Sequence, residues 1–205
     1  PAQSLSAQVK TRVSTEKYLV SSPLLNIPNI LTLLRVALIP VLIVLAYLPY
    51  DWRFLASALV FLVAAITDWF DGYLARRLNQ SSAFGRFLDP VADKLMVAAA
   101  LVILVQWHHE RVLVVISAIV IVSREITISA LREWMAELGK RASVAVSFMG
   151  KLKTTMQMTA ITVLLVNHEG LNLYVGFPLL IVAAALTLWS MMIYLKAAWP
   201  DLRDS

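Results

Sequence analysis

Long apolar runs, each closed by a short polar or turn-forming stretch, follow one another from residue 30 to near the end of the chain. Six of them approach the roughly 20 residues that an α-helix needs to cross a hydrocarbon core: 30–48, 54–73, 88–107, 112–134, 147–167 and 173–196. The pattern predicts an all-α, polytopic membrane protein with six transmembrane helices, and an even number of crossings leaves both termini on one side. Pro49, the His108-His109-Glu110 run and the turn from Asn167 to Gly170 read as plain connectors at one end of the spans. Asn79 to Ser82 and Gly139 to Ser147 read as loops or helix ends at the other. Residues 1–22 differ in kind: they are polar and mildly basic, without the apolar core and small-residue cleavage pattern of a signal peptide. They are expected to be a leader or interfacial segment, an amphipathic surface helix being the other reading, and a start at Pro1 fits a processed or added origin. Residues 23–205 are expected to form one six-helix domain.

Composition changes the solvent assumed for this chain. With 60% hydrophobic and 15% charged residues it is too apolar for an ordinary soluble domain. The net charge of +5 does not point to nucleic acid, because the basic residues lie between apolar spans and not on a soluble face with interleaved aromatics. Anionic lipid head groups and phosphorylated substrates are the partners that it suits. Lys10, Arg12, Lys17, Arg76, Arg77, Arg86, Lys140, Arg141, Lys151, Lys153 and Arg203 fall near one face, against Arg53 and Arg111 on the other. The positive-inside rule then makes the termini cytoplasmic. With no cysteine, thiolate chemistry is excluded and any site must be built from oxygen and nitrogen groups. His108, His109 and His168 are expected to be interfacial, and most tryptophans stand near span ends, where an aromatic belt belongs.

Candidate chemistry lies in four intramembrane carboxylates, a placement unfavourable enough to suggest function. Asp68 and Asp71 are three apart, and Asp89 and Asp93 four apart, so each pair shares a helix face. The short link between their spans predicts that the two helices are antiparallel neighbours with the pairs facing across a small gap. Four close carboxylates repel unless protons or cations compensate them; the first suits a proton relay, the second phosphate chemistry. Oxygen-only ligation favours Mg²⁺ or Mn²⁺ over Zn²⁺, and two ions would clamp a pyrophosphate. Gly72 and Ala75 keep one wall thin, Gly85 opens the opposing one, and Arg76 offers a fork for phosphate oxygens. Close helix packing and a positive-inside anchor are the structural alternatives for these residues. An ion-coupled transporter would need ionisable groups along the whole path, whereas here they crowd one end.

Written as Asp68-x2-Asp71-Gly72-x2-Ala75-Arg76-x8-Gly85-x3-Asp89-x3-Asp93, the segment resembles the signature of the CDP-alcohol phosphotransferase family at all eight defined positions across 26 residues. Stretches 26–35, 67–72, 88–94, 129–136 and 150–154 resemble its bacterial branch that uses glycerol 3-phosphate, and the likeness runs from about residue 26 to the C-terminus. The resemblance implies a six-helix homodimer in the bacterial cytoplasmic (inner) membrane with its site open to the cytoplasm. The implied reaction, in phospholipid biosynthesis, moves a phosphatidyl group from CDP-diacylglycerol to sn-glycerol 3-phosphate, releasing CMP. Serine, inositol or inositol phosphate are the alternative acceptors. By the same resemblance Asp68, Asp71, Asp89 and Asp93 hold the metal, Asp93 is also the catalytic base, and Gly72, Ala75, Arg76 and Gly85 line the CDP site. Asn29, Thr32 and Arg35, three apart on the first span, suit that cavity or a capping and snorkelling role; Asn29 and Thr32 are assigned to CDP. A phosphorylated acceptor needs its own cationic pocket, for which Arg124, Arg132, Lys140, Arg141, Lys151 and Lys153 are available. Arg124, deep in an apolar run, has a second reading as the ion-pair partner of Glu125.

Overall fold

The computed structural model describes residues 27–78, 83–137 and 148–203. Among them there is no strand, and six long helices account for nearly all of the chain. These are α1 (Ile27–Ala46), α2 (Arg53–Leu78), α3 (Ala83–Trp107), α4 (Val112–Glu137), α5 (Phe148–Val166) and α6 (Phe177–Arg203). The expected leader and the expected loop with Lys140 and Arg141 lie outside the described residues. At the connector end the helices stop where the apolar runs stop. At the carboxylate end α2, α4 and α6 continue past them, because backbone hydrogen bonding is local and does not need an apolar environment.

Between α5 and α6 the chain turns at Asn167, whose φ of 56° places it in the left-handed region that Asn tolerates. One helical turn, Glu169–Leu171, follows, capped by His168 Nδ1, which accepts from the Leu171 amide at 3.4 Å. A π-helical segment, Asn172–Gly176, then leads into α6. Gly176 sits tightly against α5: a Cβ there would lie 2.6 Å from Leu164 Cδ2.

The core runs the length of the bundle through Leu42, Phe61, Leu101, Leu104, Ile121, Ile161, Leu164 and Leu180, all fully buried. The outside is as apolar as the inside, with Val44, Leu55, Val102, Ile119, Ile126 and Trp189 exposed, which is how a helix bundle looks when lipid is its solvent. Hydroxyls on the helices turn inward on their own backbone: Thr67 donates to the Val63 carbonyl at 2.7 Å and Thr162 to that of Met158 at 2.8 Å. That satisfies polar groups where no water can. By length and composition, Asn29–Ala46, Val112–Glu137 and Glu169–Lys196 are apolar enough to cross a membrane. In α5 the apolar portion is the shorter Leu152–Val166.

One expectation is corrected by the packing. The helices that carry the paired carboxylates touch each other only sparsely, because α1 packs along both of them. His108, at the connector end, turns its ring into the bundle: its amide continues the helical pattern to the Leu104 carbonyl at 3.0 Å, so it falls on the same inward face as Leu101 and Leu104. It is buried, with its ring edge-on to Phe177 at 5.2 Å.

Candidate active site

The first span opens with Asn29, Thr32 and Arg35, which the helical repeat brings to one face and the packing of α1 buries almost completely. From that face Thr32 Oγ1 donates to Asp89 Oδ1 on α3 at 2.5 Å. One turn on, the Arg35 guanidinium meets Asp68 Oδ1 on α2 at 2.6 Å. Thus α1 ties together the two carboxylate-bearing helices. Asp68 remains 43% exposed, so its carboxylate is accessible from outside the bundle as well as to Arg35. Gly85 is buried one turn before Asp89. Asp71, Gly72, Ala75 and Arg76 continue α2 in helical register with Asp68, their side chains lying outside the described residues.

One turn beyond Asp89, Asp93 borders a cavity of about 290 Å³ enclosed by α3, α4, α5 and α6. Arg124, Arg132 and Lys153 line the same space, as do Glu125, Gln157 and Tyr194. Glu125 holds two of the cations: Arg124 donates to its Oε1 at 2.8 Å and Lys153 to the same oxygen at 3.2 Å. Arg132 donates to the Tyr194 hydroxyl at 3.1 Å, with its guanidinium 5.3 Å from the ring centre. Among the described residues, Arg124 Nε and Gln157 Oε1 are buried without a hydrogen-bond partner, one spare donor and one spare acceptor on side chains that line the cavity. Arg124 is therefore paired with Glu125 and at the same time lines the cavity. Lys151 lies on α5 with its side chain outside the described residues, and Lys140 and Arg141 are outside them altogether.

Asp93 also feels the charges of Asp68, Arg35, Glu125 and Lys94, so the carboxylate cluster and the cationic cavity are adjacent parts of one region. The family described as CDP-alcohol phosphatidyltransferase matches this chain over residues 25–189. The chain belongs to that family. Among its relatives, the CDP-diacylglycerol--glycerol-3-phosphate 3-phosphatidyltransferase of Salmonella choleraesuis (strain SC-B67) is 59% identical over 179 residues, 87% of this chain and 98% of the relative. Proteins of the same name from Shigella flexneri and Escherichia coli (strain K12) are 58% identical over the same shares.

In this CDP-alcohol phosphatidyltransferase the donor set suits a hard divalent cation: carboxylate oxygens from Asp68, Asp89 and Asp93, with Asp71 on the next turn from Asp68 and no thiol in the chain. Among the described residues no three such groups stand close enough together to hold an ion as arranged, since Asp68 and Asp89 are engaged by Arg35 and Thr32.

Two residues of the cavity escape sequence reasoning. Glu125 was reached from the sequence, as the neighbour of Arg124 able to pair with it. Gln157 and Tyr194 carry no charge and sit on helices remote in sequence from the motif, so only their convergence on Arg124 and Arg132 distinguishes them.

Proposed function

We propose that this enzyme transfers the phosphatidyl group of CDP-diacylglycerol to sn-glycerol 3-phosphate, giving phosphatidylglycerophosphate and CMP. The observation that carries the proposal is that Asp93 shares one cavity with Arg124, Arg132 and Lys153. A carboxylate able to take a hydroxyl proton thus stands beside a cationic wall able to hold a phosphate, and glycerol 3-phosphate presents those two groups a few bonds apart. The 1-hydroxyl gives its proton to Asp93 while its oxygen bonds to the β-phosphorus of the donor; the bond from that phosphorus to the CMP oxygen breaks. Arg124 Nε supplies a free donor for the acceptor phosphate, and Gln157 Oε1 accepts from the remaining hydroxyl. The residues achieve this chiefly by alignment and charge compensation.

On the donor side, Gly72, Ala75, Arg76, Gly85, Asn29 and Thr32 bound the CDP moiety. Asp68, Asp71, Asp89 and Asp93 hold Mg²⁺ or Mn²⁺, as two ions, which would neutralise the pyrophosphate charge. The abundance of basic residues at this end supports an orientation with the active site facing the cytoplasm, in the bacterial inner membrane. The assembly is a homodimer, an expectation carried by the family resemblance. The deciding experiment supplies CDP-diacylglycerol with glycerol 3-phosphate, serine, inositol or inositol phosphate to the detergent-solubilised chain and measures CMP. Release with glycerol 3-phosphate is expected; release with another acceptor in its place would overturn the assignment.

A further inference from the structure

The opposite end of the bundle holds a second polar cavity that the phosphatidyl transfer does not use. It has a volume of about 620 Å³ and is lined by His108, Glu110, Arg111, Glu169, Asn172 and Phe177, among others. An apolar groove of about 320 Å³ shares Glu110, Arg111 and Phe177 with it and continues over Val112, Leu113 and Val114 of α4 and Leu180 and Ile181 of α6. The two spaces meet at Arg111, whose guanidinium lies 4.4 Å from the centre of the Phe177 ring.

Two acceptors in the cavity wall are built in but unused. His108 is 7% exposed and Asn172 3% exposed, yet His108 Nε2 and Asn172 Oδ1 have no hydrogen-bond partner among the described residues. Burial pushes the His108 pKa down, so the ring is neutral. A neutral ring with its proton on the other nitrogen presents Nε2 as a lone pair and not as a donor. A buried acceptor left without a donor is unfavourable, which favours a ligand that brings N–H or O–H groups. The charge around these acceptors is two carboxylates, Glu110 and Glu169, against one guanidinium, Arg111.

We propose that this end of the bundle binds a phospholipid whose head group joins a phosphate to a primary ammonium, with the phosphate at Arg111, the ammonium among Glu110, Glu169, His108 Nε2 and Asn172 Oδ1, and an acyl chain along the adjoining groove. The order of the parts matches such a lipid, since the cation stands where head group and chain must separate. A trimethylated ammonium has no N–H to give the two acceptors. A head group with a net negative charge meets two carboxylates and only one cation.

The test uses the full chain in mild detergent, titrated with dioleoylphosphatidylethanolamine, dioleoylphosphatidylcholine or dioleoylphosphatidylglycerol, with adducts counted by native mass spectrometry. Phosphatidylethanolamine is expected to be retained in preference to both others. Arg111→Gln and Glu169→Gln should each weaken that retention about tenfold, the size of one charge-assisted hydrogen bond, and leave CMP release unchanged. Equal retention of the three lipids, preference for phosphatidylglycerol, or retention unaffected in both variants would overturn the proposal. Should a variant fail to fold, the comparison of the three lipids on the parent chain still decides.

Discussion

Asp93 stands where two groups of charges meet, the aspartates gathered around α1 on one side and the cavity of Arg124, Glu125 and Lys153 on the other. As the proposed base it should be irreplaceable by an amide of the same shape: Asp93→Asn is expected to lower kcat by about 10²–10⁴ with the helical circular dichroism unchanged. In the proposed reaction Arg124 and Lys153 act on binding. Arg124→Gln removes a charged donor from the acceptor phosphate and should raise KM for glycerol 3-phosphate by about tenfold or more, while KM for CDP-diacylglycerol stays within about twofold, both read from initial rates of CMP release. If the carboxylates carry divalent cations, chelation with EDTA should stop CMP release, and Mg²⁺ or Mn²⁺ should restore it. Sequence reasoning reached these residues because intramembrane charge is conspicuous. It did not reach Gln157 or Tyr194, because an uncharged polar residue on a membrane helix looks the same whether it faces a cavity or its own backbone.

At the scale of elements, the passage from α5 to α6 is closely packed at Gly176. Gly176 closes the π-helical segment, with no room for a Cβ beside fully buried Leu164. Gly176→Ala should therefore destabilise the protein by about 1–3 kcal/mol, as overpacking does, seen as a lower thermal midpoint in detergent. Adding Leu164→Ala makes room for the new methyl group, so the double variant should lose less than the sum of the two single ones. The apolar pattern located this connection correctly, but a π-helical segment leaves no mark on hydropathy. The role of α1 was hidden for a similar reason. Its residues 29, 32 and 35 suggested a polar face, yet nothing in their spacing said that the face would lie between α2 and α3 and engage Asp68 and Asp89 through Arg35 and Thr32.

For the whole molecule, the arrangement of basic residues makes a prediction about sidedness. The chain has no cysteine, so single cysteines placed at His109 and at Ser205 can be labelled without background. In intact cells an impermeant maleimide is expected to reach the first and not the second; the reverse pattern would refute a cytoplasmic active site. What the sequence determined by itself was the set of local and compositional properties: helical class, number of long helices, the connectors between them at the end away from the carboxylates, and the spaced carboxylates themselves. These follow from hydrogen bonding within a segment and from the free energy of placing side chains in lipid, neither of which needs to know the neighbouring helices. Only the tertiary structure decided which residues meet. It put α1 between the two carboxylate helices, turned His108 inward, and brought Arg124, Arg132 and Lys153 from two helices to the cavity of Asp93. Such meetings depend on how the helices rotate and cross, which side-chain packing across the bundle sets and hydropathy along the chain does not record.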